Sequence, residues 1–392
     1  MTRAFVPLLA LGLTLWSSCR NAYVLFVPPQ APRHPWGLPC FERQGGLRTC
    51  APACVPPSAT LPGGVDPLVS VVMVTWNGLC HLRRSLPAVL AQELPDGQQF
   101  ELLVVDNAST DGSRAHLADL AARDGRVRVL LNDHNEGFAA PNNRAFRDAR
   151  GTFVATLNND TLPEPGWLAA LLRVAQADER VGSVASRMVF DHAPETINSA
   201  GISIDRAGIA WDRLVGRPVA ESETQPVEVF GASAGAALYR RSMLEELGGF
   251  DARFFIYLED VDLAWRARLA GWRAVYAPDA VVRHAHSASA KEGSPLKNWH
   301  LGRNKVWSIA KCYPSPGLRR YLPIVIAYDL ASLPYTMVSK RDPSPLLGRL
   351  ASLRGLRPIL AERRRLHARY PDGWARTAPW MEPIKPPLAV FR

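Results

Sequence analysis

Apolar, β-branched runs alternate with helix-period segments between residues 69 and 157, and this alternation constrains the fold more than any other feature of the chain. Strands that alternate with helices are joined by crossovers and lie parallel in one sheet, with helices on both faces. The sequence therefore predicts an α/β fold with a mostly parallel sheet flanked by helices. The predicted strands are residues 69–75, 101–105, 127–131 and 153–157, and the predicted helices are residues 82–92, 113–122 and 139–149.

Polar side chains follow three of these strands, where parallel sheets bind their ligands. They are Thr75 and Asn77 after the first strand, Asp106 and Asn107 after the second, and Asn158, Asn159 and Asp160 after the fourth. A turn also accounts for Asn77, and a helix N-cap accounts for the nearby Asp111 or Ser113. Asp106 and Asp160 are stronger candidates, because each follows an apolar strand where a charge needs a partner.

The absence of two glycine motifs narrows the ligand. No GxGxxG follows the first strand, which argues against a dinucleotide site, and no GxxxxGK[ST] is present, which excludes a P-loop. If the ligand carries phosphates, a site without a glycine-rich loop must neutralise their charge by other means. The simplest is a divalent cation held by carboxylates. Asp160 is the natural candidate for this role.

A second constellation lies in the C-terminal half. The aromatic stretch at residues 254–258 leads into Glu259 and Asp260 at the start of a predicted helix. Acidic residues in a first turn also favour the helix dipole, so this pair has a purely structural explanation too. Desolvation by the aromatic residues would raise a carboxylate's proton affinity, as a general base requires. His284 ends a predicted strand at residues 281–284 and could be a metal ligand.

The segment at residues 69–314 resembles the family 2 glycosyltransferases of the GT-A fold, in the rhamnosyltransferase-like and galactofuranosyltransferase-like branch. The motifs that carry the resemblance are VSVVMVTWNG, LLVVDNASTDGS, NEGFAAPNNRAF, ATLNNDT, GASAGAALYRRSMLEELGGFD, FFIYLEDVDLAWRARLAGW, VVRH and GRNKVW, in this order. A processive synthase of this family would carry a QxxRW-type motif and transmembrane helices, and the sequence predicts neither.

The resemblance implies a role for each candidate residue. Asn158, Asn159 and Asp160 stand where the family has its DxD metal motif, of which only the last acid is retained. The donor's nucleotide would be held by Thr75, Asn77, Asp106, Asn107, Asn142 and Asn158; a divalent cation, Mg²⁺ or Mn²⁺, by Asp160 and His284. Asp260 matches the catalytic base, with Glu259 beside it on the acceptor side.

These roles imply an inverting transfer in cell-envelope polysaccharide synthesis. Asp260 would deprotonate the acceptor hydroxyl as it attacks the anomeric carbon of a nucleotide-diphosphate sugar. Thymidine-diphosphate rhamnose is the favoured donor, followed by UDP sugars, and the acceptor is a glycan or a polyprenyl-linked glycan. Two alternatives stay open: a catalytically silent member that binds sugar nucleotides or glycans, and a sugar-phosphate nucleotidyltransferase, whose phosphate loop is missing.

Positive charge is concentrated at the C-terminal end of the chain. Residues 315–392 contain 14 Lys or Arg and 5 Asp or Glu, against a net charge of +10 for the whole chain. The body carries no nucleic-acid recognition signature, so no nucleic-acid partner is expected. Basic residues interleaved with Leu, Trp and Tyr favour an anionic membrane surface, although a solvated basic helix gives the same composition.

Three regions are therefore predicted. Residues 1–66 have no periodicity and are expected to be a disordered or wrongly annotated extension, although an apolar run at residues 5–16 resembles a short signal or anchor. Residues 67–314 form the GT-A domain. Residues 315–392 form a basic, amphipathic helical region. We expect a cytoplasmic protein that is peripheral at the inner face of the cell membrane.

Overall fold

The computed structural model describes residues 66–285, 293–334, 337 and 341–385, so the predictions for the N-terminal extension lie outside the described residues, apart from Asp66. The strands are β1 (Val69–Thr75), β2 (Phe100–Asp106), β3 (Val127–Leu131), β4 (Phe153–Leu157), β5 (Thr161–Pro163), β6 (Val181–Phe190), β7 (Ala193–Ser199), β8 (Ile202–Ile204), β9 (Ala210–Asp212), β10 (Val227–Val229), β11 (Ala236–Arg240) and β12 (Arg273–His284). The helices are α1 (Leu79–Leu90), α2 (Ser113–Arg123), α3 (Ala139–Asp148), α4 (Trp167–Gln176), α5 (Arg241–Leu247), α6 (Glu259–Ala270), α7 (Pro295–Cys312), α8 (Ser315–Pro334), α9 (Ser344–Ser352), α10 (Leu356–Arg369) and α11 (Gly373–Thr377).

The central sheet has the order β10-β12-β6-β11-β4-β1-β2-β3, with β5 beside β12 and β7 beside β6. The predicted parallel sheet is formed by the N-terminal strands, in which β1 pairs with β2 and β4, and β2 pairs with β3. β11 runs antiparallel to β4, with Ala236 at its start paired with Leu157 at the end of β4. The C-terminal half is therefore mixed, with β6 and β12 parallel to each other.

Helices cover both faces of the sheet, as the alternation predicted. One face packs on α1 and α4 through side chains such as Leu86 and Trp167, and the other packs on α3, α5 and α6 through side chains such as Met243 and Leu263. The N-cap expected at Asp111 or Ser113 is instead Gly112, and Asp111 precedes it. Asp111 accepts hydrogen bonds from the Leu79 and Ser113 amides, which begin α1 and α2.

The predicted C-terminal helical region packs against α6. Tyr321 and Trp374 belong to the cluster that contains Trp265 of α6, which is fully buried. An ionic contact adds to this packing, because Glu362 of α10 lies 3.5 Å from Lys311 Nζ of α7, which lies 2.6 Å from Asp262 of α6. Among the described helices, none is long and apolar enough to cross a bilayer.

Candidate active site

The ends of β1, β2 and β4 lie next to one another and bring the predicted polar residues to one edge of the sheet. Asn159 Nδ2 donates to Thr75 Oγ1 at 2.9 Å, which joins the β4 end to the β1 end. Asn77 Oδ1 accepts from the Thr110 amide at 2.7 Å, which joins the β1 end to the loop after β2. Gly78 is required there, since a Cβ at this position would lie 2.2 Å from Asn159 Nδ2.

Asp106 is fully buried at this edge, with an incomplete set of hydrogen bonds. Its Oδ1 accepts from the Ser109 amide at 3.0 Å and from Arg114 Nε at 2.7 Å. Its Oδ2 is buried and accepts no hydrogen bond. Because an unpartnered buried carboxylate oxygen is costly, the arrangement suits a ligand that supplies a donor.

Two predicted donor-site asparagines hydrogen-bond to the protein itself. Asn107 Nδ2 donates to Asn135 Oδ1 and to the Gly137 carbonyl, and Asn107 Oδ1 accepts from Asn132 Nδ2 and the Glu136 amide. Asn142 Nδ2 donates to the Phe138 carbonyl at 2.8 Å. Asn107 thus holds the loop between β3 and α3, and Asn142 bonds within the first turn of α3 that follows this loop.

A cavity of about 340 Å³ opens beside this edge and receives Asn158, His284, Glu259 and Asp260. Its walls come from the β8–β9 hairpin, the turn before β11, the start of α6 and the first half of α7. The predicted acid pair and the predicted metal histidine therefore face one space. The wall residues outside the predictions include Asn198, Trp211, Asp212, Ser233, Tyr257, Lys297 and Leu301.

Glu259 and Asp260 differ in how their charges are supported. Burial, followed by the neighbouring Asp260 charge, raises the pKa of Glu259 well above its ordinary value, and Glu259 Oε2 has no hydrogen-bond partner. Burial also raises the pKa of Asp260, but its oxygens accept from the Ala234 amide at 3.1 Å and from the Val261 amide at 2.8 Å. Amide donors favour the charged form. Asp260 is therefore the carboxylate of the pair, and Glu259 the acid that keeps its proton.

The loop that leads into α6 has an uncommon backbone. Phe255, Tyr257 and Leu258 adopt φ values of 66°, 70° and 65°, a region that favours glycine. The loop is held from the donor side, because the Phe255 carbonyl accepts from the Phe138 amide at 2.6 Å. A Cβ at Gly137 would lie 2.5 Å from the same oxygen, so a glycine is needed there.

The structure brings Asp160 and His284 together, with Asp160 Oδ1 at 3.3 Å from His284 Nε2. His284 Nδ1 donates to Asn198 Oδ1 at 2.8 Å, and this second contact orients the ring as in metal-binding histidines. Burial raises the pKa of Asp160, but the hydrogen bond and charge of His284 outweigh it and lower the pKa below its ordinary value.

The pair fits a divalent cation that takes its remaining ligands from substrate oxygens and water. Within residues 66–285, 293–334, 337 and 341–385, no cluster of three or more His, Cys, Asp or Glu side chains could hold a metal on its own.

Asp212 is the main site residue that the sequence did not reveal. Asp212 lines the cavity wall beside Asp260 and is itself exposed to solvent. Asp212 ends the three-residue strand β9, which is too short to give a periodic signal. It adds a third acid to the cavity that contains Glu259 and Asp260.

The family model "Glycosyl transferase family 2" matches residues 70–248. The chain is 32% identical over 260 residues to the N-acetylglucosaminyl-diphospho-decaprenol L-rhamnosyltransferase of Mycobacterium tuberculosis (strain ATCC 25618 / H37Rv), a match covering 59% of this chain and 81% of that protein. It is 30% identical over 264 residues to the O-antigen biosynthesis protein RfbC of Myxococcus xanthus, covering 64% of this chain and 20% of that protein.

Other relatives are also longer than the shared region. The chain spans 26% of the uncharacterized protein y4gI of Sinorhizobium fredii (strain NBRC 101917 / NGR234), with 29% identity over 246 residues and 60% of this chain covered. It therefore spans about a quarter or less of two of its relatives.

Among solved structures, GalNAc-T7 with UDP, GalNAc and Mn²⁺ aligns with a TM-score of 0.54 and 18% identity, covering 78% of this chain and 58% of that one. This likeness supports the GT-A-type fold. The sequence match to the rhamnosyltransferase, over most of that protein's length, carries the assignment further. The chain belongs to glycosyltransferase family 2.

Proposed function

We propose that the protein is an inverting glycosyltransferase that moves a sugar, best matched by rhamnose, from a nucleotide-diphosphate donor to a hydroxyl of a glycan or lipid-linked acceptor in cell-envelope polysaccharide synthesis. The observation that carries the proposal is one cavity that contains the carboxylate of Asp260 and the His284 ring in contact with Asp160. A base and a site for leaving-group charge on one cavity are what a single displacement needs.

The donor's nucleotide would lie at the ends of β1 and β2. The unpartnered Asp106 Oδ2 offers an acceptor to an N–H of the base or a hydroxyl of the ribose. Thr75 and Asn77 shape the same edge through their bonds to Asn159 and Thr110. Asn158, which faces the cavity, would contact the transferred sugar, while Asn107 holds the adjoining loop and Asn142 bonds within the first turn of α3.

Asp160 and His284 would hold a divalent cation, Mg²⁺ or Mn²⁺. A bound cation of this kind supplies positive charge to the diphosphate as it leaves. Asp160 suits the role, because its lowered pKa keeps the carboxylate ionised at neutral pH. Asn198 accepts the Nδ1 proton and orients the ring, so that Nε2 would bind the cation in place of its present contact with Asp160.

Asp260 would act on the acceptor. Its carboxylate takes the hydroxyl proton while the acceptor oxygen forms a bond to the anomeric carbon, and the bond from that carbon to the diphosphate oxygen breaks on the opposite face. Neutral Glu259 next to it can donate a hydrogen bond to an acceptor oxygen, as its raised pKa allows. The displacement is single, so the anomeric configuration inverts.

The acceptor proposal draws on the M. tuberculosis relative, whose name describes a diphospho-decaprenol acceptor and an L-rhamnosyl product. The C-terminal helices of this chain are suited to a lipid-linked substrate. Leu322, Ile326 and Leu330 lie one turn apart on α8 and are 42%, 48% and 61% exposed. We call these three side chains the apolar face of α8.

Charge around the apolar face of α8 favours an anionic membrane surface as its partner. The one acid of α8, Asp329, is paired with Lys305 and Arg349 at 2.7 Å. Arg357 and Arg364 of α10 are exposed. The apolar face of α8 borders a groove of about 390 Å³ between α7, α8 and α10. We therefore propose a peripheral position at the inner face of the cell membrane.

A donor and acceptor screen tests the proposed function. Purified protein is titrated with thymidine-diphosphate rhamnose, UDP sugars and GDP sugars, with and without Mn²⁺, and thermal shift reports binding. Transfer is then measured onto a polyprenyl-diphosphate N-acetylglucosamine, with product anomericity read by NMR. Inverted rhamnosyl product is expected. Tight donor binding without turnover on this acceptor would support the catalytically silent alternative, and a retained configuration would contradict the single displacement.

A further inference from the structure

Helix α7 contacts the strained loop before α6 through one buried amide. Asn304 is fully buried, and the two N–H bonds of its Nδ2 are shared among the carbonyls of Phe254 at 3.0 Å, Ile256 at 2.9 Å and Tyr257 at 2.7 Å. Its Oδ1 accepts from Arg303 Nε at 2.9 Å, which fixes the orientation of the amide. A single side chain thus bonds three carbonyls of residues 254–257.

The residue before Asn304 holds the same loop. Arg303 Nη2 donates to the Phe254 carbonyl at 2.8 Å and to the Arg253 carbonyl at 3.1 Å. The guanidinium lies between the rings of Trp299 and Trp307, with its central carbon 4.7 and 4.5 Å from their centroids. Such packing on both sides leaves the guanidinium little freedom to move.

The loop needs these partners, because its backbone is unfavourable without them. The positive φ angles of Phe255, Tyr257 and Leu258 persist only where surrounding contacts determine the conformation. Ile256, Tyr257 and Leu258 line the cavity and continue directly into Glu259 and Asp260. A displaced loop would therefore move the two acids.

We propose that Asn304 is a positioning residue for catalysis, which holds residues 254–257 so that the half-buried Asp260 carboxylate keeps its place in the cavity. The proposal rests on the proposed function of Asp260 as the base. Asn304 does not touch the cavity itself. It acts through the carbonyls to which it donates. The GRNKVW motif, which contains Asn304, would thus serve to position the loop before α6.

The matched control is Asn298, a second asparagine on α7. Its Nδ2 donates to the Gly293 carbonyl at 3.3 Å and to Asp342 at 2.7 Å, so it binds no carbonyl of the loop before α6. Asn304→Ala, Asn304→Ser and Asn298→Ala are prepared as full-length proteins. The serine variant retains one donor and should be better folded if the alanine variant is too unstable to assay.

The first measurement is hydrogen–deuterium exchange in peptides that cover residues 253–261, which requires no activity. Faster exchange is expected in both Asn304 variants and unchanged exchange in Asn298→Ala, with donor binding by Mn²⁺-dependent thermal shift retained in all three. Exchange in Asn304→Ala equal to that of wild type would overturn the proposal. This result stands whether or not Asp260 proves to be the base.

The second measurement is the pH profile of transfer. A loosened loop admits water to Asp260 and lowers its raised pKa, so the acid limb of kcat should move to lower pH, and kcat at the optimum should fall about 10²-fold with little change in donor KM. The other titratable groups facing the cavity are unchanged in the variants; they are Glu259, Asp212, Tyr257, Lys297 and His284. A loss of activity with the acid limb in place would mean general destabilisation and would overturn the positioning role.

Discussion

The ends of β1, β2 and β4, which form the proposed donor edge, adjoin the cavity that contains Glu259 and Asp260, and the two regions differ in how fully their polar side chains are partnered. At the donor edge, Thr75, Asn77 and Asn107 have their side chains bonded to protein partners. In the cavity, Glu259 has a buried oxygen without a partner, and the loop before it has three positive φ angles. The strand ends also carry an unpartnered oxygen, Asp106 Oδ2, and positive φ angles at Asn77 and Ala108, but beside the cavity three such angles fall between residues 255 and 258, next to the proposed base.

The sharpest test of this difference is Asp260→Asn, which keeps the shape of the side chain and removes the proton acceptor. We expect kcat to fall on the order of 10²–10⁴-fold, because that is what removal of a general base typically costs. Donor affinity should be unchanged, since the donor edge has its own contacts. Initial rates at saturating acceptor, together with calorimetric donor binding, measure both quantities.

Asp279→Asn is the matched control for this variant. Asp279 is exposed and pairs with Arg173 at 2.7 Å, away from the cavity. Its substitution should leave kcat unchanged. Substantial transfer by Asp260→Asn would assign the base elsewhere, with Glu259 or Asp212 next to be tested.

The second prediction concerns the boundary between the two parts, where Asp160 meets His284. Asp160→Ala and His284→Ala should each weaken Mn²⁺-dependent donor binding by more than about tenfold, and Asn198→Ala should do so less severely, because it only orients the ring. Calorimetric titration with and without Mn²⁺ measures the effect. The exposed Asp119, which pairs with Arg123, provides a control substitution.

Chelation tests whether a metal ion or protein side chains alone supply the positive charge for the leaving diphosphate. Transfer should stop in excess EDTA and return with Mn²⁺. Full turnover in EDTA would contradict the metal proposal. Arg144 and Arg303 could not easily replace the cation as the positive charge beside the leaving diphosphate. Arg144 donates to the Leu131 carbonyl, and Arg303 donates to the Phe254 carbonyl.

The donor half of the fold was predictable because its signals are local. The bounds of β3 and β4 agree with the residues expected from the apolar runs, and α1 begins at Leu79, earlier than expected, because Asp111 accepts its amide. Strand ends that carry polar residues meet at one edge in any parallel sheet, so the positions of Thr75, Asp106 and Asp160 followed from the alternation alone.

The cavity half was less predictable because its parts meet over long distances in the chain. Asp212 belongs to a short hairpin, and nothing in its neighbourhood shows that it will face Asp260. β11 runs antiparallel to β4, with its start at Ala236 paired with Leu157, and these two residues are far apart in the chain. Positive φ at Tyr257 and Leu258 is enforced by tertiary contacts and leaves no trace in residue propensity.

The third prediction extends the comparison to the apolar face of α8. Leu322→Glu with Leu330→Glu should lower binding to anionic liposomes about tenfold or more. Full burial of a leucine contributes about 1.5–3 kcal/mol, and these two side chains, 42% and 61% exposed, have only about half of that left to gain. Surface substitution is preferable to truncation, since Tyr321 and Val325 of the same helix are buried. Sedimentation with liposomes measures binding.

Leu131→Glu is the control for this pair, as Leu131 is 51% exposed at the end of β3, a strand of the donor half. It should bind liposomes as the wild type does. High salt should weaken the wild type only in part, because apolar insertion is not screened. Equal binding by the double variant would contradict the membrane proposal and leave a solvated basic helix.

The smallest expected effect is a pH-dependent change in stability at Glu259. Below the ordinary glutamate pKa of 4.5, the residue is protonated in both the folded and unfolded states, so its ionisation adds no pH dependence. Above it, the unfolded chain releases the proton while the folded protein keeps it, so stability is lost as pH rises toward the raised folded pKa. Glu259→Gln removes this loss, and its advantage over wild type should grow with pH to about 1–3 kcal/mol. Urea unfolding at pH 5 and pH 8 measures it, with Glu245→Gln, an exposed partner of Arg241, as the matched control. An advantage that is the same at both pH values would show that Glu259 is not held protonated, and the division of roles between the two acids would have to be reversed.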